Sequence, residues 1–346
     1  MISFIILVAA ASAESDKDRL KLISKNFSEA VKYADAKLWD KAEKAVKKIN
    51  NGVASDVIKW LKLRDGTQNF SEYESFLFTN YDWPGIKFLK TKAELSIDNS
   101  VSTERIKKYF LNNEVLTGHG ALKLAQAYVA NDDILRGNAI IKRSWLEHSY
   151  SSKDFAEVVK HFGRFLEKYN DKRIDNLLWF RRSEDVRQMI DLVGNDSKDL
   201  ALARIALQEQ SYGVDGIIRN LPLNLRTDPG LIYDRFSFRR KRNLQEGAEN
   251  LLIEFSKSSA LLGRPFMWAE GREAYARRAL LIGDVDKAYR LASEHYIDFS
   301  KYDEVPELAD LEWLAGFIAF EFLNDYNRAL IHFQNFAMFV VNPVNR

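Results

Sequence analysis

The sequence predicts an all-α fold, a right-handed superhelical α-solenoid built from antiparallel helix pairs. Three observations predict it. Apolar residues recur every three or four positions along nearly the whole chain, and strand-like alternation is rare. Six prolines and sixteen glycines in 346 residues fall below the usual shares of about 5% and 7%. A β-sandwich or barrel needs a turn about every 8–12 residues, and the residues to make those turns are missing. Finally, the start and stop signals that do occur enclose helix-length runs joined by two to four polar residues. At 46% hydrophobic and 29% charged, the composition is that of a folded chain and excludes disorder as the dominant state.

The elements follow in order. Ser28-Glu29 opens one helical run and Asn50-Asn51-Gly52 closes it. Asp82-Trp83-Pro84 opens another, with Pro near the first turn, where its missing N–H costs nothing. Thr117-Gly118-His119-Gly120 precedes ALKLAQAYVA, which Asn131-Asp132-Asp133 ends. Gly194-Asn195-Asp196-Ser197 separates two runs, and Gly283-Asp284 and Asn324-Asp325 sit between paired helices. Looser joints are expected at Asp98-Asn99-Ser100, Asn170-Asp171 and 261–265. The last pair fits the tetratricopeptide pattern in part, which makes the C-terminal end TPR-like. Trp313, Phe320, Ala329 and Phe333 take pattern positions, while Gly316 comes one residue early. Weaker copies are Ala30/Tyr33/Ala42/Val46 and Ala276/Ala279/Ala288/Ala292. Small residues let two helices approach, and aromatics fill the gap to the next pair. One pair alone leaves an apolar face open, so pairs must stack.

Residues 2–13, ISFIILVAAASA, are apolar but too few to span a bilayer. They end in Ala11-Ser12-Ala13, an A-x-A type cleavage site. Residues 1–13 therefore read as a signal peptide that lacks the usual Lys/Arg n-region, and 14–346 as one superhelical repeat domain. No membrane span is expected, and the leader reads as a signal for export.

The chemistry is sparse. With no cysteine there is no thiolate nucleophile, disulfide or thiolate metal site. His119, His148, His161, His295 and His332 form no HExxH or i,i+4 pair, so no metal and no cofactor is expected. There is no G-x-S-x-G elbow. Glu147, Glu270 and Glu312 sit in helical patterns and read as solvated or capping residues rather than as acids in an apolar cleft. The densest charge is YDRFSFRRKRN, in which Arg235, Arg239, Arg240, Lys241 and Arg242 interleave with Phe236 and Phe238. Two readings stay open. In one, Arg235, Arg239 and Arg240 bind a substrate such as a glycan. In the other, the Phe residues enter the core, and the Arg residues are solvated or paired with Asp228 and Asp234. A net charge of +2 argues against a nucleic-acid partner.

A series of stretches, in order, resembles the N-terminal superhelical domain of the soluble lytic murein transglycosylases. They run from Trp60, Leu61, Asp65, Gly66, Phe70, Tyr73, Phe76 and Leu77 through Asp82-Trp83-Pro84, Leu89 and Ala93-Glu94. Tyr109-Phe110, Leu116-Thr117-Gly118, Leu122, Leu124-Ala125, Trp145, Arg173, Asp175, Leu177-Leu178-Trp179 and Ala201–Leu207 follow. DPGLIYDR at Asp228–Arg235 is the most specific, with Arg239-Arg240-Lys241 after it. Arg264-Pro265, Trp268, Arg272, Ala288-Tyr289, Leu291-Ala292-Ser293, His295, Glu312-Trp313-Leu314-Ala315-Gly316 and His332-Phe333 complete the series.

The resemblance implies a periplasmic, peptidoglycan-directed protein. Family enzymes cleave the β-1,4 bond between N-acetylmuramic acid and N-acetylglucosamine and leave a 1,6-anhydro end. One glutamate, in a lysozyme-like domain after the superhelix, acts as acid and then base. That domain's Glu-Ser motif has no match here, and the chain stops at 342–346, about where the family's linker begins. The expectation is a non-catalytic scaffold and substrate-positioning module. Its partners would be peptidoglycan glycan strands and a C-terminal catalytic domain expected after 346. The apolar stretch 333–341, in place of a polar capping helix, points the same way. The alternative is a periplasmic helical-repeat adaptor for a protein partner.

Overall fold

The computed structural model describes residues 21–66, 68–298 and 306–339. Among them every regular element is helical and none is a strand. The leader expected at 1–13 and the chain end at 340–346 lie outside the described residues. The chain divides into two compact units, Met1–Glu167 and Lys168–Arg346.

In unit 1 the first helix, α1, covers 21–35. It is followed by α2 (Trp39–Lys47), α3 (Gly52–Asp65), α4 (Phe70–Thr79), α5 (Ile86–Leu95), α6 (Thr103–Leu111), α7 (Gly118–Val129), α8 (Ile134–Glu147) and α9 (Ser152–Leu166). Helices α2/α3, α3/α4, α4/α5, α6/α7, α7/α8 and α8/α9 pack together, and α5/α7 and α7/α9 also touch, which is stacking of adjacent pairs. Ala30, Ala42, Ala45 and Val46 bury the α1–α2 contact against Ile58 of α3. Phe70, Tyr73, Phe76, Leu89 and Tyr109 continue the core through α4–α6. The N-caps are local and polar: Asn51, Ser102, Thr117, Asp133 and Ser151 each accept the N–H three residues on. Asn69 and Glu72 form a reciprocal capping box at α4.

In unit 2 the order is α10 (Asn170–Trp179), α11 (Ser183–Met189), α12 (Asn195–Gln208), α13 (Val214–Asn220), α14 (Pro229–Lys241), α15 (Gln245–Phe255), α16 (Ser259–Leu262), α17 (Ala269–Leu281), α18 (Val285–Ser293), α19 (Pro306–Glu321) and α20 (Tyr326–Phe339). The pairs α14/α15, α17/α18 and α19/α20 pack tightly, and α12/α14 and α17/α19 join one pair to the next. Phe236, Leu252, Trp268, Ala276, Ala288 and Leu314 lie in one continuous core. The fold is all-α and solenoid-like, as the periodicity predicts.

Several boundaries differ from the sequence reading. Ser28 lies inside α1, and the run from Ser28 to Asn50 is two helices broken at Lys37. Lys37 adopts φ 57 without a glycine or proline to announce it. Asn195, Asp196 and Ser197 belong to the first turn of α12. Segment 261–265 is no loose joint. Leu262 is buried, and its carbonyl accepts the Trp268 indole N–H at 3.0 Å. Gly263 adopts φ 67, and a Cβ there would come 2.7 Å from Pro229 and 2.9 Å from Trp179. At the TPR-like end Gly316 does admit an aromatic ring, with Phe333 2.8 Å from where its Cβ would stand. Trp313 and Phe320, however, are 39% and 45% exposed rather than gap-filling. Trp313 stacks on Phe317, and Phe320 meets Tyr326 edge-on instead.

Candidate functional site

Helix α14 carries the charged stretch. Asp228 starts it by accepting the Leu231 N–H at 2.9 Å, and Pro229 sits in the first turn. A buried ion pair holds its inner face. Asp234, 2% exposed, accepts Arg204 Nε of α12 at 2.7 Å, and Gln208 donates to both of its oxygens at 3.0 Å. Arg204 also donates to Asp175 of α10 at 2.8 Å and lies over the Trp179 ring. Three helices therefore meet on one guanidinium. Gly230 leaves the room for it, since a Cβ there would stand 2.2 Å from Arg204 Nη1.

This arrangement corrects the proposed pairing of the cluster with Asp228 and Asp234. Asp228 is a cap, and Asp234 belongs to Arg204. Phe236 is buried as expected, while Phe238 is half-buried beneath the Arg242 guanidinium. The structure also separates the three arginines read as substrate-binding. Arg235 is half-buried; burial and the neighbouring Arg239 both push its pKa down. Arg239 donates to the Gly247 carbonyl of α15 at 2.7 Å, an internal tie. Arg240 points elsewhere, into an open groove.

That groove, of about 550 Å³, is lined by Arg181, Tyr233, Ser237, Arg240, Lys241, Gln245, Glu270, Ala274, Tyr275 and Arg278. Tyr233, Ser237, Arg240 and Lys241 form one α14 face at helical spacing. Ala274, Tyr275 and Arg278 form the facing side of α17. Arg181 comes from the tip between α10 and α11, where it adopts φ 56 and donates to Ser237 Oγ at 2.7 Å. Arg240 lies over the buried Phe236 ring and donates to Glu270 at 3.0 Å. Tyr275 donates its hydroxyl to Gln245 at 2.8 Å. Burial pushes the Tyr233 phenol up, so it stays protonated. Cations outnumber the single acid four to one. Lys241 and Arg278 make no ion pair among the described residues. Arg181 and Arg278 were invisible as site residues in the sequence. They lie far from α14 along the chain, and no local signal marks them.

A second polar cluster was also missed. Glu312 of α19, read as solvated or capping, is buried. His295 accepts the Ile297 N–H at Nδ1 (3.0 Å), so its proton sits on Nε2, 2.9 Å from Glu312 Oε1. His332 of α20 accepts the Tyr289 hydroxyl at Nε2 (2.9 Å) and donates from Nδ1 to Glu312 Oε2 at 2.7 Å. Asn335 donates to the same oxygen at 3.2 Å. Burial pushes the carboxyl up, but the hydrogen bonds from His295 and His332 outweigh it and bring it down to about 2. The cluster locks α18, α19 and α20 together.

Unit 1 has a cleft of similar size between α2, α3 and α4. Its central Lys62 is already held by Glu43 at 2.9 Å and Glu72 at 3.2 Å. His119, between its glycines, serves the fold: it bridges Asp154 at 2.9 Å and the Ile97 carbonyl at 2.8 Å.

A carboxyl acts as a general acid at neutral pH when an apolar pocket keeps it protonated, whereas Glu270 is exposed and paired with Arg240. Glu147 is exposed and pairs with Arg143 on its own helix. Glu312 at about 2 holds no proton at neutral pH. Among the described residues, no three His, Cys, Asp or Glu side chains are placed to hold a metal ion. No described helix is long and apolar enough to cross a membrane. Comparison with protein-family models, curated proteins and solved structures gives no match.

Proposed function

We propose that this chain is the non-catalytic scaffold and substrate-positioning module of a peptidoglycan-directed lytic transglycosylase in the periplasm. Its partners are glycan strands and a lysozyme-like domain carried elsewhere, which supplies the glutamate that cleaves the MurNAc-GlcNAc bond. One observation carries the reading. The most specific stretch of the resemblance, Asp228–Arg235, is the joint of a helical stack. Asp228 caps α14, Gly230 admits Arg204, and Asp234 pairs with it. Such residues specify how helices meet, which is what a scaffold requires.

The test is co-sedimentation with purified sacculi together with a murein-release assay. The chain is expected to sediment with the sacculi and to release no 1,6-anhydro-muropeptides. Turnover by this chain, or a failure to sediment, would sink the reading.

A further inference from the structure

The lining of the α14–α17 groove selects one ligand chemistry. Three guanidiniums and one ammonium face a single carboxylate, and they come from three separate segments, the α10–α11 tip, α14 and α17. A solvated basic face would not need an aromatic floor. Here Tyr233 packs at 5.2 Å from both Trp179 and Trp268, and Arg240 is seated on Phe236, so the groove has a rigid base. Guanidiniums fixed by packing lose little entropy when they bind, and they match planar oxyanions with two parallel N–H donors. The exposed Glu270 carboxylate already meets Arg240 through one hydrogen bond at 3.0 Å, and it stands in for what a ligand would present. Lys241 and Arg278 flank it without an ion pair among the described residues.

We propose that this groove binds a ligand carrying two or more oxyanion groups, one of which displaces Glu270 from Arg240. Resting on the reading above, those groups are the carboxylates of the peptide arms on glycan strands, rather than the neutral sugar backbone.

Calorimetric titration of the full chain tests this with three probes: a muramyl peptide with at least two free carboxylates, neutral chitotetraose, and inorganic phosphate. The muramyl peptide is expected to bind, and its affinity should fall with salt. Arg240→Gln with Arg278→Gln should weaken it about tenfold or more. Both side chains are partly or fully exposed, so the fold should survive; a circular-dichroism melt checks this. Glu270→Gln should move the other way and tighten binding, an effect no structural role for Glu270 would produce. Unchanged muramyl-peptide affinity in the double variant overturns the proposal, as does chitotetraose binding equally well. Phosphate binding more tightly than the muramyl peptide overturns the peptide assignment. If the double variant still sediments with sacculi like the wild type, the inference falls while the wall-directed function stands. Salt-sensitive muramyl-peptide binding, lost in the double variant, by a chain that ignores sacculi gives the converse.

Discussion

Glu94 in unit 1 and Glu312 in unit 2 are both buried glutamates that accept three hydrogen bonds from described residues, yet their carboxyls shift in opposite directions. Glu94 takes the Leu116 and Thr117 N–H groups, each at 2.8 Å, and the Thr117 hydroxyl at 2.6 Å. It thereby caps the approach to α7, where the helix dipole favours negative charge. Burial still wins, and its pKa rises. Glu312 takes two imidazoles and an amide, and its pKa falls to about 2. Counting hydrogen bonds does not predict the outcome. Depth and donor strength do: Glu94 is 0% exposed and Glu312 5%, and imidazole is a stronger donor than amide or hydroxyl. Asp234 shows how far depth can go: it faces the full Arg204 guanidinium, yet burial outweighs that cation and its pKa rises as that of Glu94 does.

The largest effect is expected where that cation is removed. Arg204→Met leaves Asp234 buried beside Gln208 alone and should cost about 3–5 kcal/mol in urea unfolding. A loss below about 1 kcal/mol would mean that the guanidinium does little to offset the burial of Asp234. Next comes Glu312→Gln, which leaves one imidazole N–H without its acceptor and should cost about 2 kcal/mol at neutral pH. Because the Glu312 pKa is lowered, its stability is present above the unfolded value of about 4.3 and is lost as pH falls toward about 2. Unfolding midpoints measured across that window should fall for the wild type and flatten for the variant.

Smaller effects are expected at Glu94. Gly120→Ala would place a Cβ 2.3 Å from Glu94 Oε2. It should push the carboxylate off its donors and cost about 1–2 kcal/mol without changing any titratable group. Glu94→Gln should be the mildest, within about 1 kcal/mol at neutral pH. The raised carboxyl contributes stability below its unfolded pKa that is lost as pH rises through the folded one, so its charge is a burden at neutral pH. Removing that burden offsets the lost acceptor. A large loss here would show that backbone donors hold the charge as firmly as imidazoles, and the contrast between the two sites would vanish.

The helical class, the alanine contacts and most helix starts were legible in the sequence. Ala276, Ala279, Ala288 and Ala292 are buried at the α17–α18 contact, as their spacing predicted. Gly283-Asp284 does fall between paired helices, with Asp284 capping α18, while Thr117 caps an α7 that already includes the Gly118–Gly120 expected ahead of it. The break at Lys37 was not legible, because an ordinary residue made that turn. Of the groove, α14 supplied Arg240 and Lys241 in plain view and Glu270 was read as solvated, which it is, but Arg181 and Arg278 did not stand out.

The sequence by itself determined what depends on near neighbours: periodicity, caps and the small residues that let paired helices close. These act over three or four residues, so local order carries them. The tertiary structure alone decided which charges are buried and by whom they are met. Arg204 found Asp234 rather than leaving it to the arginines beside it, Glu312 found two histidines from flanking segments, and Arg240 turned away from Arg235 and Arg239. A charge's fate rests on its desolvation and on partners that only the stacking of distant helices brings within reach.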